Sequence, residues 1–189
     1  MKPINAVFYK VGRIQFLIMS LILSGFICYG RQFLQLWAGA KYTEAQKAEA
    51  YYICLIVMIP LIIPLIQNIG ITILQAMNKH AFRSGVYFCI ALLNVAASIP
   101  LAQRFGGIGC AAATSVSMVI GNILIINVYY YRTIHLDIPG FFREIARLLP
   151  VMLIMLVYGA ATNVLLPGGG WLLLGAKILV YGGLFAMLS

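Results

Sequence analysis

The sequence has few charged residues, and acidic residues are the scarcest of them. Only 9% of the 189 residues are charged and four are acidic, whereas 63% are hydrophobic. A soluble domain carries about 25% charged and about 45–50% apolar residues, so this composition excludes a water-soluble globular protein. It indicates an integral membrane protein whose surroundings are the lipid bilayer.

The residues that build catalytic and metal centres are equally sparse. The four cysteines occur singly in or beside apolar runs, and no Cys-x-x-Cys pair or Cys/His ligand spacing is present. The four acids all lie between the apolar runs, so no two carboxylates can face each other inside the membrane. We therefore expect no catalytic site, no metal site and no cofactor, and we predict that the chain is not an enzyme.

Long apolar runs occupy most of the chain. A helix of about 20 apolar residues crosses a bilayer, and six runs of roughly this kind predict an all-α bundle of six transmembrane helices in a single membrane domain, 1–189. The predicted spans are residues 14–36, 48–77, 86–101, 107–131, 148–166 and 171–189. The second is about ten residues too long for one straight crossing. It contains Pro60 and Pro64, which predict a kinked or tilted helix or an interfacial segment.

Cationic residues are distributed unevenly between the two sides that these spans define. Thirteen Lys and Arg against four Asp and Glu give a net charge of +9. On one side, the N-terminal segment, the loop around Lys79 and the loop 132–147 hold eight cations; the other side holds four, offset by Glu44 and Glu49. The positive-inside rule then places the N-terminus and both loops in the cytoplasm. Because the charge is explained by topology, we expect no nucleic-acid partner.

Polar residues inside the spans are the main functional signal, because they are costly in lipid unless they are paired. Asn68, Thr72 and Gln75 share a helix face with the two prolines of the second span, a pattern that fits lining of a hydrated cavity and structural hydrogen bonding equally well. The third span contributes Asn94.

The first, fourth and last spans also contain polar, charged or small residues. The fourth span contributes Asn122 and Asn127, together with small residues at intervals of four from Gly109 to Gly121, which favour close helix packing. Arg31, at the end of the first span, and Lys177, in the last, can extend to the interface. A substrate contact is the alternative role for Arg31.

Several stretches of the chain resemble one family of membrane transporters. They are 29–39 (YGRQFLQLWAG), 59–70 (IPLIIPLIQNIG), 73–84 (ILQAMNKHAFRS), 106–114 (GGIGCAAAT) and 121–131, which begins GN and ends YYY. In order and spacing they resemble the C-terminal half of bacterial lipid-linked oligosaccharide flippases. These are the O-antigen and capsule repeat-unit transporters of the multidrug/oligosaccharidyl-lipid/polysaccharide exporter superfamily. The resemblance covers about residues 5–150.

This resemblance implies a specific function. Members of the family are two-lobed bundles whose central cleft opens alternately to each side of the bacterial inner membrane, carrying an undecaprenyl-diphosphate-linked oligosaccharide outward. The chain would then be a fragment whose partner is the missing N-terminal lobe of the same protein. The residues expected to face the cleft are Arg31, Asn68, Gln75, Asn94 and Asn122.

Three alternatives remain open at the level of sequence. A cation-coupled drug or metabolite efflux pump of the same superfamily commonly uses an intramembrane carboxylate, and none lies in the six spans. A membrane-embedded glycan-modifying enzyme would need catalytic acids and longer loops. A non-transporting scaffold would need no polar cleft.

Overall fold

The protein is built from helices alone over the part that the structure describes. The computed structural model describes the backbone of residues 2–189 and all their side chains apart from those of residues 2, 3 and 80. The described residues form eight α-helices: α1 (Lys2–Ala38), α2 (Glu44–Ile66), α3 (Ile69–Ala76), α4 (His80–Met118), α5 (Asn127–Thr133), α6 (Ile138–Ala146), α7 (Leu149–Leu165) and α8 (Trp171–Leu188). A short 3₁₀ turn, Gly39–Lys41, follows α1, and a π-helical segment, Val119–Ile126, joins α4 to α5. The prediction of an all-α membrane bundle is confirmed.

Five helical runs in the described residues are long and apolar enough to cross a membrane, and one of them crosses twice. The run Ala81–Thr133 has 53 residues, or about 80 Å at 1.5 Å per residue, against a hydrocarbon core of about 30 Å. The chain reverses at Gly106, whose φ of 59° lies in the left-handed region that favours glycine. Beyond the turn, the Thr114 hydroxyl donates to Asn94 Oδ1 at 3.3 Å. The five runs thus provide six crossings.

Small residues allow the two arms of this hairpin to pack closely. Gly109, Ala113, Ser117 and Gly121 are all buried. A Cβ added to Gly109 would lie 2.1 Å from the Leu101 carbonyl oxygen, and one added to Gly121 would lie 1.7 Å from Ile90 Cδ1. The predicted packing role of this stripe is confirmed.

The second predicted span, 48–77, is not one helix. Thr43 caps α2 through a capping box with Gln46, and the 23 residues of α2 extend about 34 Å, which suffices for one crossing. The Gln15 amide, turned so that its nitrogen faces the end of α2, donates to the carbonyls of Leu65 and Ile66. These carbonyls therefore have a partner when the helix stops. The surplus residues form the separate helix α3.

The predicted loop 132–147 contains the helix α6, which the sequence reading missed. Asp137 caps it by accepting from the Gly140 N–H at 2.9 Å, and the fully buried ring of Phe141 lies 4.5 Å from that of Phe8 in α1. The Tyr9 hydroxyl donates to the Asp137 carboxylate at 2.6 Å. This bond and the Gly140 N–H hold the pKa of Asp137 below its ordinary value, because both stabilise the ionised form.

The two ends of the bundle differ in their chemistry. At the end called here the cation-rich end, α1 meets α6, and Arg13 approaches Glu144 at 3.8 Å. At the opposite end, the turn at Gly106 lies beside Glu49 of α2, and Arg31 of α1 reaches Tyr52. The cation bias of the sequence predicts that the first end is cytoplasmic.

Candidate functional site

A buried hydrogen bond joins two interruptions of regular helix near the cation-rich end. Gln67 lies between α2 and α3, and its side-chain amide donates to Asn127 Oδ1 at 2.8 Å. Both side chains are buried, with 3% and 7% of their surfaces exposed. The Asn127 amide in turn donates to the carbonyls of Ile123 at 2.9 Å and Asn122 at 3.4 Å, within the π-helical segment. One amide pair thus connects the break after α2 to the end of the π-helical segment.

The network continues from Asn122 to a cation. The Tyr87 hydroxyl donates to Asn122 Oδ1 at 2.7 Å, and the Arg83 guanidinium donates to that hydroxyl at 2.7 Å. Arg83 also lies over the Tyr87 ring, 4.9 Å from its centroid. Among the described residues, one guanidinium nitrogen of Arg83 is buried without a hydrogen-bond partner, and no carboxylate forms an ion pair with Arg83. The network therefore ends on a half-buried positive charge.

Local packing explains why the chain is interrupted here. A π-helical turn shifts the backbone bonds to an interval of five residues, which is the interval between Asn122 and Asn127. Tyr130 of α5 is 1% exposed, and a Cβ on Gly70 would lie 2.7 Å from its hydroxyl oxygen. Gly70 therefore lets the first turn of α3 dock on α5, which places Gln67 against Asn127.

Of the five residues predicted to face a cleft, the structure places only Asn122 in this network. Asn68, directly before α3, and Gln75, on α3, are both exposed, on a face that also carries the exposed Thr72. Asn94 is half-buried and accepts from Ser98 at 3.0 Å and from Thr114 across the hairpin. Gln67, one residue before Asn68, takes the buried position because the break after Ile66 changes which side chain points inward.

Arg31 lies at the opposite end of the bundle, apart from the network. Its guanidinium is 5.1 Å from the centroid of the Tyr51 ring and 5.3 Å from that of Tyr52, and it donates to the Tyr52 hydroxyl. It lines a pocket of about 240 Å³ with Gln35, Glu44, Lys47 and Ala48. Arg31 is thus separated from Asn122, which lies in the network near the cation-rich end.

Lys177 is buried rather than extended to the interface. Only 6% of its surface is exposed, and its ammonium donates to the Leu166 carbonyl at 2.7 Å and to Gln32 Oε1 at 3.4 Å. Leu166 follows the last residue of α7, where backbone carbonyls lack helical partners. Lys177 therefore ties α8 to the end of α7 and to α1.

The network offers amides, a phenol and a guanidinium, a set suited to binding and conformational coupling rather than to acid–base catalysis. Comparison of the chain with protein-family models, with curated proteins and with solved structures found no match. The functional assignment therefore depends on the sequence and on this geometry.

Proposed function

We propose that the chain forms part of a transporter that moves an undecaprenyl-diphosphate-linked oligosaccharide from the cytoplasmic to the outer leaflet of a bacterial inner membrane. The observation that carries the proposal is the buried Gln67–Asn127 bond, which joins two helix interruptions in a network ending on Arg83. The resemblance of residues 5–150 to lipid-linked oligosaccharide flippases names the substrate.

The helix interruptions supply the movement that alternating access requires. Non-helical backbone at membrane depth is tolerated only where it is buried in protein or lines a water-filled cavity, and many transporters place substrate sites at such interruptions. The Gln67–Asn127 pair would make α3 and the π-helical segment bend together, so that one end of the bundle opens as a unit.

The charge of Arg83 suits the head of the proposed substrate. Hydrogen bonds from a guanidinium to phosphate oxygens are charge-assisted and strong, and Arg83 has no ion-pair partner among the described residues. The isoprenoid tail would remain in lipid while the diphosphate and sugars cross. Arg83 would thus attract the diphosphate at the end of the bundle where transport starts.

The exposed polar face of α3 supports a second lobe as the partner of this chain. Asn68, Thr72 and Gln75 lie on one exposed face, and polar side chains facing lipid tails are costly. A cleft between this chain and an N-terminal lobe would keep these groups hydrated, which retains Asn68 and Gln75 as substrate-path residues.

The proposal predicts the fate of the lipid-linked glycan in the host cell. Deleting the gene should trap lipid-linked oligosaccharide in the cytoplasmic leaflet, where a glycosidase added to spheroplasts cannot reach it, and should remove the glycan from the cell surface. Complementation with the Arg83→Gln variant should restore at most about a tenth of the surface glycan, because a hydrogen bond to a charged group contributes about 1.5–3 kcal/mol.

The matched control is Arg143→Gln, which removes an exposed cation at the same end but outside the network. It should restore export fully at an equal protein level. Normal glycan export in the deletion strain contradicts the proposal, and increased drug susceptibility with normal glycan would identify an efflux pump instead.

A further inference from the structure

We infer that the pocket around Arg31 is a binding site for a phosphorylated sugar. This site lies at the end of the bundle opposite the Gln67–Asn127 network, and it depends on the proposed function only for the source of its ligand. A phosphate would bind the guanidinium, and the sugar hydroxyls would bind Glu44 and Gln35.

Arg31 is held in a fixed orientation with free donors. Its guanidinium makes cation–π contacts with the rings of Tyr51 and Tyr52, and the Tyr52 hydroxyl accepts a hydrogen bond from one of its N–H groups. A guanidinium has five N–H donors, and no carboxylate of the described residues forms an ion pair with this one. The remaining N–H groups can donate to two phosphate oxygens in a bidentate geometry.

The rest of the pocket suits hydroxyl groups. Lys47 lies 2.9 Å from Glu44 and neutralises it, so the two cations and one anion leave the pocket with a net positive charge. The Gln35 amide lies 3.5 Å from the second Glu44 oxygen. Carboxylate and amide oxygens accept hydrogen bonds from hydroxyls, and the amide nitrogen donates to them.

The size of the pocket limits the ligand. Its volume of about 240 Å³ is below the roughly 300–1,000 Å³ of sites for drug-sized ligands. One sugar with its phosphate matches this volume. In a transporter of lipid-linked glycans, this would be the phosphate-bearing sugar next to the lipid.

Calorimetric titration of the purified full chain tests the assignment, in a detergent that contains neither sugar nor phosphate. We expect glucose 1-phosphate to bind, inorganic phosphate to bind at least about tenfold more weakly, and glucose not to bind. Arg31→Gln should weaken binding of glucose 1-phosphate at least about tenfold, whereas Arg104→Gln, which removes an exposed cation of the same predicted side, should leave it unchanged.

A second variant separates sugar recognition from charge. Gln35→Ala should reduce the affinity for glucose 1-phosphate but leave that for inorganic phosphate unchanged. Equal affinity of the native chain for both phosphates would overturn the assignment, since it would indicate a general anion site such as a phospholipid headgroup contact. Unchanged binding in Arg31→Gln would also overturn it. Because no transport is measured, these results are independent of glycan export in the host.

Discussion

Alanine at Gly109 is expected to destabilise the bundle by about 1–3 kcal/mol, the usual cost of inserting a group into a packed interior. The added Cβ would lie 2.1 Å from the Leu101 carbonyl oxygen and 2.5 Å from its carbon. Both are backbone atoms of the neighbouring arm, so no side-chain rotation can relieve the clash and the hairpin arms must separate. Reversible unfolding in mixed micelles measures the change in free energy.

Gly85→Ala is the matched control on the same helix. A Cβ at Gly85 would meet nothing within 4 Å, and alanine favours helix over glycine by up to about 1 kcal/mol. We therefore expect this variant to be as stable as the native chain or more stable. Equal effects of the two substitutions would mean that the arms on either side of Gly106 do not pack together.

Separate replacement of Gln67 and Asn127 by leucine is expected to destabilise the chain by about 1–3 kcal/mol each, because each change leaves a buried polar partner unsatisfied. The double variant should cost less than the sum of the single variants. The difference should fall near the roughly 0.6–1.7 kcal/mol found for hydrogen bonds between membrane helices. Export of the glycan should nevertheless be lost in the double variant, since the two helix interruptions are no longer joined.

Asn68→Leu provides the control for this cycle. Asn68 is exposed and adjacent to Gln67, so its replacement should add to Asn127→Leu without coupling. If Asn68→Leu couples to Asn127→Leu as strongly as Gln67→Leu does, the buried amide pair has been assigned to the wrong residue. Full export in the Gln67→Leu, Asn127→Leu double variant would separate the network from transport.

The long helices could be predicted because length and hydropathy determine them. Predicted spans 148–166 and 171–189 correspond closely to α7 (Leu149–Leu165) and α8 (Trp171–Leu188). The sequence predicts a kink or tilt at Pro60 and Pro64 or an interfacial segment in the over-long span 48–77. The position of the break, after Ile66, could not be predicted, since it depends on tertiary contacts of Gln15 and Gln67 with residues distant in the chain. The apolar pattern of the sequence continues across this break and therefore does not reveal it.

The helix α6 carried a signal that the sequence reading did not use. An aspartate followed by a proline within the first helical turn marks a helix start, and Asp137 and Pro139 form this pattern. The burial of Lys177 had no comparable signal, because its partner is the backbone carbonyl of Leu166 in the preceding loop.

The sequence patterns predict one member of the buried network. Asn122 lies in the network, whereas the helical face favours the exposed Asn68 over its buried neighbour Gln67. When one helical face is extended across a break in the helix, it predicts burial of the wrong side chain. The interval of five between Asn122 and Asn127 matches the bond spacing of a π-helical turn, but this interval alone does not predict one.

The proposed transport requires the network to lie at the cytoplasmic end of the bundle and the Arg31 pocket to lie at the outer end. Labelling of single cysteines in intact cells with a membrane-impermeant maleimide tests this requirement most directly, in a chain whose four native cysteines are replaced by alanine. Arg104→Cys, beside the turn at Gly106, should be labelled from outside, and Thr133→Cys, at the end of α5, should be labelled only after the cells are opened. Labelling of both from outside, or the reverse pattern, would contradict the account.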